Sequence, residues 1–293
     1  MKINLNIIAI IISTFFAAIL LYFLANSYGR KLLRYILHSQ KSLPVHTEKI
    51  ESDDSYTNIT FLHHSTGRNL IEEGKVRQLL AEKCYSFWDH DYNFIGLRRP
   101  DGSKTNTCYN IPNDTIETRG NGNTDPDGLA ILFKQPVNYP PDYAFSRLLQ
   151  HEVIIFKSCF PNSAIKNEQM LEQYKKWFIE IRDVIDKYPE KIFIPFTLPA
   201  LHPLKTNPEE AKRARVWANW LKSNDFLDGH PNIYVFDFFD YFADSSTNML
   251  KKNFQRDANS GDSHPNKLAN QKIGPIFVKF VDKSIKNFKK TRQ

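Results

Sequence analysis

The sequence predicts an α/β protein in which a mostly parallel sheet lies between two layers of helices. Its short apolar runs have the length of buried strands and are hydrophobic on both faces, as central strands covered by helices are. These strand candidates are residues 59–63, 153–156, 192–196 and 233–238. Longer amphipathic runs alternate with them, which is typical of parallel sheets. Because 293 residues suffice for one substantial core, we expect a single three-layer α/β/α domain at residues 56–293.

Three helices are predicted from apolar periodicity and end signals. Residues 168–188 carry one apolar stripe at helical spacing. The motif Asn207-Pro208-Glu209-Glu210 combines a cap, a proline at the first position and acidic residues near the positive end of the helix dipole. We expect that helix to run to about Lys222 and a third helix to follow Pro265, with an early bend at Gly274-Pro275.

The segment 96–138 interrupts this alternation. It is rich in Asn, Asp, Thr, Gly and Pro and shows almost no apolar periodicity. A loop of this length inside a compact domain is usually functional or disordered. We interpret it as an insertion over the rim of the sheet that lines a substrate cleft.

The N-terminal segment predicts a membrane anchor. Residues 7–25 form an uncharged apolar run of about the length that crosses a bilayer. The run is long for a signal-peptide core and lacks a good cleavage site, so an uncleaved anchor at residues 1–28 is favoured over a cleaved signal. A juxtamembrane helix and a polar linker are expected at residues 29–55.

The sequence gives opposing indications of the side of the membrane on which the domain lies. Basic residues after the apolar run, Arg30, Lys31 and Arg34, would place the domain in the cytoplasm by the positive-inside rule. A disulfide between Cys84 and Cys108 would instead imply an oxidising compartment. Anchored hydrolases with one span often act on envelope or secretory substrates, and on this ground an extracytoplasmic domain is favoured.

The formal charge of +7 does not predict a nucleic-acid partner. The densest group of lysines, at residues 279–290, is interleaved with apolar residues at helical spacing, which indicates a solvated helix face. Zinc-finger spacing, an aromatic RNP motif and a basic-leucine pattern are all missing from the sequence. We therefore expect no nucleic-acid partner.

Two short motifs at opposite ends of the domain carry chemistry. The first strand candidate breaks at Ser65-Thr66-Gly67, which is a common way to hold a hydroxyl in a turn ahead of a helix whose N-terminus stabilises an oxyanion. Near the C-terminus, Asp262 and His264 lie on a polar loop and can supply a base and the group that orients it. The pair of motifs predicts a serine esterase or acyltransferase. The alternative is a strand that ends in a polar turn, with an unrelated loop histidine.

Polar residues also follow the carboxyl ends of three strand candidates, where open parallel sheets form their sites. They lie at residues 64–67, 157–163 and 197–202, and the loop with Asp262 and His264 is expected at the same rim.

At these residues the sequence resembles the SGNH, or GDSL-type, hydrolase superfamily. Its members carry the nucleophilic serine just after the first strand, as Ser65 lies here, and a histidine near the C-terminus that Pro-Asn often follows, as in His264-Pro265-Asn266. The resemblance implies a flavodoxin-like three-layer fold and ester hydrolysis or acyl transfer. It also implies Ser65 as nucleophile, His264 as general base, and an oxyanion hole made by the Ser65 backbone N–H and Asn162.

The sequence departs from the family pattern in three places. His64-Ser65-Thr66-Gly67 replaces Gly-Asp-Ser, and Asp262 lies two residues before His264, where the family's aspartate generally lies three residues before. The block Ser158-Cys159-Phe160-Pro161-Asn162 stands in place of Gly-x-Asn-Asp. The long loop offers several glycines and no clear choice for the oxyanion hole: Gly120, Gly122 and Gly128.

These motifs favour as substrate an O-acyl group, with O-acetyl as the leading candidate, on a glycan or another surface molecule. We expect no cofactor and no metal, because the adjacent His63 and His64 would point to opposite faces of an extended chain and would ligate one ion poorly. Two rival functions remain open. One is a membrane-anchored sulfo- or glycosyltransferase, and the other is a catalytically silent glycan-binding module with the same fold.

Overall fold

The computed structural model describes residues 50, 53–112 and 121–292. The predicted anchor at residues 7–25 and nearly all of the linker at residues 29–55 lie outside the described residues. In the part of the chain that the structure describes, no helix combines the length and apolar character needed to cross a bilayer.

In the described residues, one sheet contains five strands: β1 (Asn58–Leu62), β2 (Ser86–His90), β3 (Leu97–Arg98), β4 (Val153–Phe156) and β5 (Ile192–Pro195). Their order in the sheet is β3-β2-β1-β4-β5. Strand β1 pairs in parallel with both β2 and β4, and β4 pairs in parallel with β5. The short β3 runs antiparallel at the edge beside β2. Three of the four predicted strands, those at 59–63, 153–156 and 192–196, are thereby confirmed within one residue at each end.

The fourth predicted strand, at residues 233–238, is wrong as a regular strand. The segment runs beside β5 and meets it only at two isolated parallel bridges, Phe193 with Ile233 and Phe196 with Phe236. Between these bridges β5 ends at Pro195, which has no N–H to donate to the neighbouring chain. The hydrogen bonds resume after it, where Phe236 N–H donates to the Pro195 carbonyl. The predicted strand is therefore a sheet edge that one proline interrupts.

Helices cover both faces of the sheet, so the three-layer α/β/α sandwich is confirmed. On one face Phe61 of β1 contacts Phe277 of the C-terminal helix, with ring centroids 5.8 Å apart. On the other face Phe156 of β4 contacts Phe133, with ring centroids 4.9 Å apart. The helices are α1 (Ser65–Glu73), α2 (Val76–Ala81), α3 (Pro126–Phe133), α4 (Ala144–Leu148), α5 (Glu168–Ile185), α6 (Pro208–Leu221), α7 (Asn224–Leu227), α8 (Phe238–Phe242) and α9 (Lys267–Thr291). Short 3-10 turns occupy Phe160–Ser163, Pro203–Lys205 and Lys252–Phe254.

Helix starts follow the predicted capping chemistry. The side chain of Asn207 accepts a hydrogen bond from the Glu210 N–H and caps α6, and Asn266 accepts one from the Ala269 N–H and caps α9. Helix α9 continues as one element through Pro275. This helix packs on α1 at a close backbone approach, since a Cβ on Gly274 would lie 2.2 Å from the Gly74 carbonyl oxygen.

The long segment at 96–138 is more ordered than its composition predicts. It contains β3 and α3, and the side chains of Leu129, Leu132 and Phe133 are buried. The interpretation of the whole segment as one long loop is therefore wrong over α3, where the short apolar run packs against α5. Residues 113–120 of the segment lie outside the described residues.

The disulfide considered between Cys84 and Cys108 does not form in the structure, where Cys84, Cys108 and Cys159 are all free thiols. Cys84 is exposed in the turn after α2, whereas the Cys108 thiol accepts a hydrogen bond from the Asn110 N–H at 3.2 Å and lies 3.5 Å from the Asn93 side-chain oxygen.

Candidate active site

The rim of the sheet brings Ser65, His264 and Asp262 into one hydrogen-bonded line. The Ser65 hydroxyl oxygen lies 2.8 Å from His264 Nε2. The other ring nitrogen, His264 Nδ1, lies 2.5 Å from Asp262 Oδ1. Because a carboxylate can only accept, Nδ1 carries the proton in this pair and Nε2 is left to accept from the serine hydroxyl. The arrangement has the connectivity of a Ser-His-Asp triad.

Ser65 occupies the first position of α1, directly after the residues that leave β1. The first N–H groups of a helix have no partner inside the helix, and they give its N-terminus a positive partial charge. Gly67 allows the turn to pass over the end of β1, since a Cβ at Gly67 would lie 2.4 Å from the Cβ of His63. The glycine of the Ser-x-Gly motif is therefore needed because only a residue without a side chain fits there and allows the serine to lie at the start of the helix.

The loop that carries His264 is fixed on both sides. Ser263 is buried, and its hydroxyl accepts a hydrogen bond from the His202 N–H at 3.0 Å. After the histidine, the Asn266 side chain donates to the carbonyls of Asn253 and Gln255 at 2.9 and 3.0 Å. These contacts set the height of the imidazole above Ser65.

Electrostatics favour an ionised Asp262. Burial raises the pKa of this carboxyl, but hydrogen bonds from the backbone and ring of His264, together with the charge of Arg256, outweigh it and hold the pKa below its ordinary value. The carboxylate also accepts the His264 backbone N–H at 3.0 Å. One carboxylate therefore orients both the ring and the backbone of the histidine, from the position two residues before it.

Aromatic rings lie next to two residues of the Ser65–His264–Asp262 arrangement. The ring of Phe160 meets the His264 imidazole edge-on, with centroids 4.8 Å apart. The phenol of Tyr92 lies close enough to Ser65 for the serine hydroxyl and backbone N–H to lower its pKa in part. Burial raises the pKa of Tyr92, which therefore stays protonated. The Tyr92 ring stacks on His64 with centroids 4.1 Å apart.

His64 is a buried residue that lines the site. Its Nδ1 lies 3.3 Å from the Thr124 hydroxyl, so the segment before α3 reaches the rim, as predicted for the long loop. Burial lowers the pKa of His64 to about 3. Its neighbour His63 points the other way and contacts Asp89 at 3.0 Å. In the described residues no cluster of three or more His, Cys, Asp or Glu side chains could hold a metal ion.

Asn162 lies two residues after Phe160, whose ring meets His264, and its amide is engaged in hydrogen bonds. Its Nδ2 donates to Asp125 Oδ1 at 2.6 Å and to the Cys159 carbonyl at 3.2 Å. The Tyr174 hydroxyl donates to its Oδ1 at 3.4 Å. An oxyanion contact from this side chain thus requires one amide hydrogen to leave its present acceptor.

Sequence reasoning missed Tyr92 and the burial of Lys157 against Thr66. Tyr92 follows β2, a strand that was not predicted because Ser86, Asp89 and His90 interrupt its apolar pattern. Lys157 was noted only as a polar residue after β4, yet its side chain is buried and its Nζ lies 2.6 Å from the Thr66 hydroxyl. A lysine that directly follows an all-apolar strand was the available signal.

Comparisons with known proteins found two distantly similar structures. No protein-family model and no curated protein sequence matches the chain. A candidate acylhydrolase from Bacteroides fragilis has a TM-score of 0.47 and 10% identity over 85% of this chain and 95% of its own. A candidate platelet activating factor from Streptococcus pneumoniae has a TM-score of 0.43 and 12% identity over 94% of this chain and 98% of its own.

Proposed function

We propose that the chain is a serine-dependent ester hydrolase or acyltransferase. The observation that carries this proposal is the 2.8 Å contact between the Ser65 hydroxyl and His264 Nε2, with Asp262 on the opposite ring nitrogen. A hydroxyl is a weak nucleophile unless a base removes its proton, and an oriented imidazole is such a base.

The reaction would proceed in two balanced steps. Ser65 Oγ attacks the acyl carbon while His264 Nε2 takes the hydroxyl proton, which gives a tetrahedral oxyanion. The oxyanion collapses, the alcohol leaves with the proton from His264, and the acyl group remains on Ser65. Water, or a second alcohol in a transferase, then attacks the acyl-serine while His264 takes its proton. The second tetrahedral oxyanion collapses, the bond between the acyl carbon and Ser65 Oγ breaks, and the acid or new ester leaves as the proton returns from His264 to Ser65 Oγ. Asp262 orients the ring and stabilises the imidazolium form.

The proposed oxyanion donors are the backbone N–H of Ser65 and the side chain of Asn162. The first lies at the N-terminus of α1, where the helix dipole favours negative charge. For the second, the hydrogen bond to the Cys159 carbonyl, at 3.2 Å, is the longer of its two and the easier to exchange for an oxyanion. Both groups follow β1 or β4, the adjacent central strands.

The proposed substrate is an O-acyl ester, with O-acetyl on a glycan or another surface molecule as the leading candidate. We further propose that residues 1–28 anchor the domain and that the domain is extracytoplasmic. The exposed thiol of Cys84 gives a readout of orientation. A membrane-impermeant maleimide should label full-length protein in right-side-out vesicles and should spare it in sealed inside-out vesicles. The reverse pattern would place the domain in the cytoplasm, and Cys84→Ser controls for the other thiols.

The direct test of the activity is turnover of p-nitrophenyl acetate by wild type and Ser65→Ala. Loss of the nucleophile should lower kcat by several orders of magnitude. Ser246→Ala, at an exposed loop serine, is the matched control and should retain full activity. Equal turnover by Ser65→Ala would remove Ser65 from the mechanism. A folded wild-type protein that binds glycans but turns over no ester would instead be a silent binding module.

A further inference from the structure

Lys157 is a buried cation that forms no ion pair with any residue that the structure describes. It follows β4, is only 1% exposed, and its Nζ donates to Thr66 Oγ1 at 2.6 Å and to the Ser158 carbonyl at 2.8 Å. Across residues 53–112 and 121–292, no carboxylate lies within ion-pairing distance of it. Burying an ammonium group with only neutral acceptors costs free energy.

The position of Lys157 makes this cost larger. Thr66 is the residue after the proposed nucleophile and lies in the first turn of α1. The N-terminus of a helix carries positive partial charge, so a second positive charge beside it is unfavourable in the resting protein. An oxyanion on the acyl group attached to Ser65 would reverse this, because both positive groups then attract it.

The charged and titratable groups around Lys157 come from four elements. Asp91 follows β2, Asp125 precedes α3, Cys159 follows β4, and His64 precedes α1. Burial lowers the pKa of Lys157 to about 8, and the nearby Asp91 and Asp125 carboxylates oppose this only in part. The side chain is therefore charged at neutral pH and loses its charge under mildly alkaline conditions.

We propose that Lys157 is a positioning residue for the ester cleavage at Ser65. Its ammonium group holds the Thr66 hydroxyl, which fixes the first turn of α1, and it adds positive potential where the oxyanion forms. The inference rests on the proposed function, and it explains why the chain keeps a destabilising cation in its interior.

The first test compares the stability and the activity of Lys157→Met. Methionine fills a similar volume without a charge, so the melting temperature should be unchanged or higher. At pH 7 kcat for p-nitrophenyl acetate should fall at least about tenfold, with little change in KM. A purely structural lysine predicts a lower melting temperature together with the loss of activity. That result, or an unchanged kcat, would overturn the proposal.

The second test uses pH. Wild-type kcat, corrected for uncatalysed hydrolysis, should decline as the pH rises through about 8, and the decline should be missing in Lys157→Met. Burial raises the pKa of Cys159 and of Tyr92, so these neighbours titrate at higher pH than Lys157. Thr66→Val is the matched variant that removes the hydroxyl and keeps the charge, and it should retain the alkaline decline. An identical decline in wild type and Lys157→Met would assign it to another group.

A third measurement is independent of catalysis. The folded-state pKa of Lys157 lies below its ordinary value of 10.5, so the penalty of burying its charge is complete below pH 8. As the pH rises from 8 towards 10.5 the native protein releases this proton before the unfolded chain does, and the penalty disappears. The stability advantage of Lys157→Met should therefore shrink over that range. A constant difference would contradict the buried charge, even if the protein proves to be no esterase.

Discussion

His264 Nε2 lies 2.8 Å from the hydroxyl of Ser65, although 199 positions separate the two residues in the chain. The contact depends on how α9 meets α1. The carboxylate of Glu73, at the end of α1, accepts from Asn270 at 2.6 Å and from Arg256 at 3.3 Å. Residues near both ends of the domain are thereby joined beside the histidine loop.

Removing the base should cost more than removing its orienting group. We expect His264→Ala to lower kcat by several orders of magnitude and Asp262→Ala to lower it by about a hundredfold or more. The milder effect is expected because Asp262 is partly exposed, so water can replace part of its hydrogen bonding. Steady-state kinetics with p-nitrophenyl acetate check the order. A larger loss for Asp262→Ala than for His264→Ala would contradict these roles.

Variants at Asn162 and Asp125 distinguish a catalytic role of the Asn162 amide from a purely structural one. If its amide donates to the oxyanion, Asn162→Ala should lower kcat by roughly a hundred- to a thousandfold with little change in KM. Asp125→Ala removes the carboxylate that now accepts from this amide, and it should cost far less. Similar losses in the two variants would show that Asn162 serves to hold Asp125.

Lowering the pH should destabilise the fold before it reaches the range in which the carboxylates with lowered pKa values titrate. Burial lowers the pKa of His64 and His151 to about 3 and that of His90 to about 4. Below about pH 6.5 the unfolded chain binds protons that these native histidines do not, so stability falls. Each contributes about 1.4 kcal/mol per pH unit between roughly pH 6 and 4.5. Urea unfolding at several pH values measures the slope.

A control for the acid prediction is His151→Gln, which removes one of the three groups. The free energy of unfolding of this variant should depend less steeply on pH, by the equivalent of about one bound proton, whatever its absolute stability. An unchanged slope would mean that His151 is not buried as a neutral ring. Asp89 and Asp91, whose pKa values are held low by neighbouring cations against burial, act only below about pH 4.

The close approach of α1 and α9 predicts a sensitive glycine. In Gly274→Ala the new methyl group would lie 2.2 Å from the Gly74 carbonyl oxygen, and backbone must move to admit it. We expect a loss of about 1–3 kcal/mol in the free energy of unfolding, measured by urea titration. Lys279→Ala, at an exposed position of the same helix, should change it by less than about 0.5 kcal/mol. Equal stabilities would contradict the packing.

The central strands and their helices could be predicted because burial on both faces leaves an uninterrupted apolar run. Val153–Phe156 is all apolar and its predicted bounds are those of β4. Strand β2 lies nearer the sheet edge, and Asp89 and His90 in it have tertiary partners that a sequence pattern cannot reveal. The run at 233–238 has the composition of a strand, but its pairing fails because of a proline in a different strand, β5.

Some residues of the site could likewise be predicted from the sequence and others could not. Ser65, Asp262 and His264 stand in short motifs, so their chemistry is visible in the sequence, and the structure brings them together. Lys157 directly follows an all-apolar strand, which marks it in the sequence, but its contact with Thr66 and the proximity of Tyr92 to Ser65 are tertiary and have no local pattern. What sequence could not supply was the partner of each polar side chain.

The most direct measurement is the mapping of a fluorophosphonate adduct by mass spectrometry on the intact domain. The account predicts one modified residue, Ser65, with labelling abolished in Ser65→Ala and strongly slowed in His264→Ala, while circular dichroism shows both variants folded. An adduct on another residue, or equal labelling of wild type and Ser65→Ala, would contradict it.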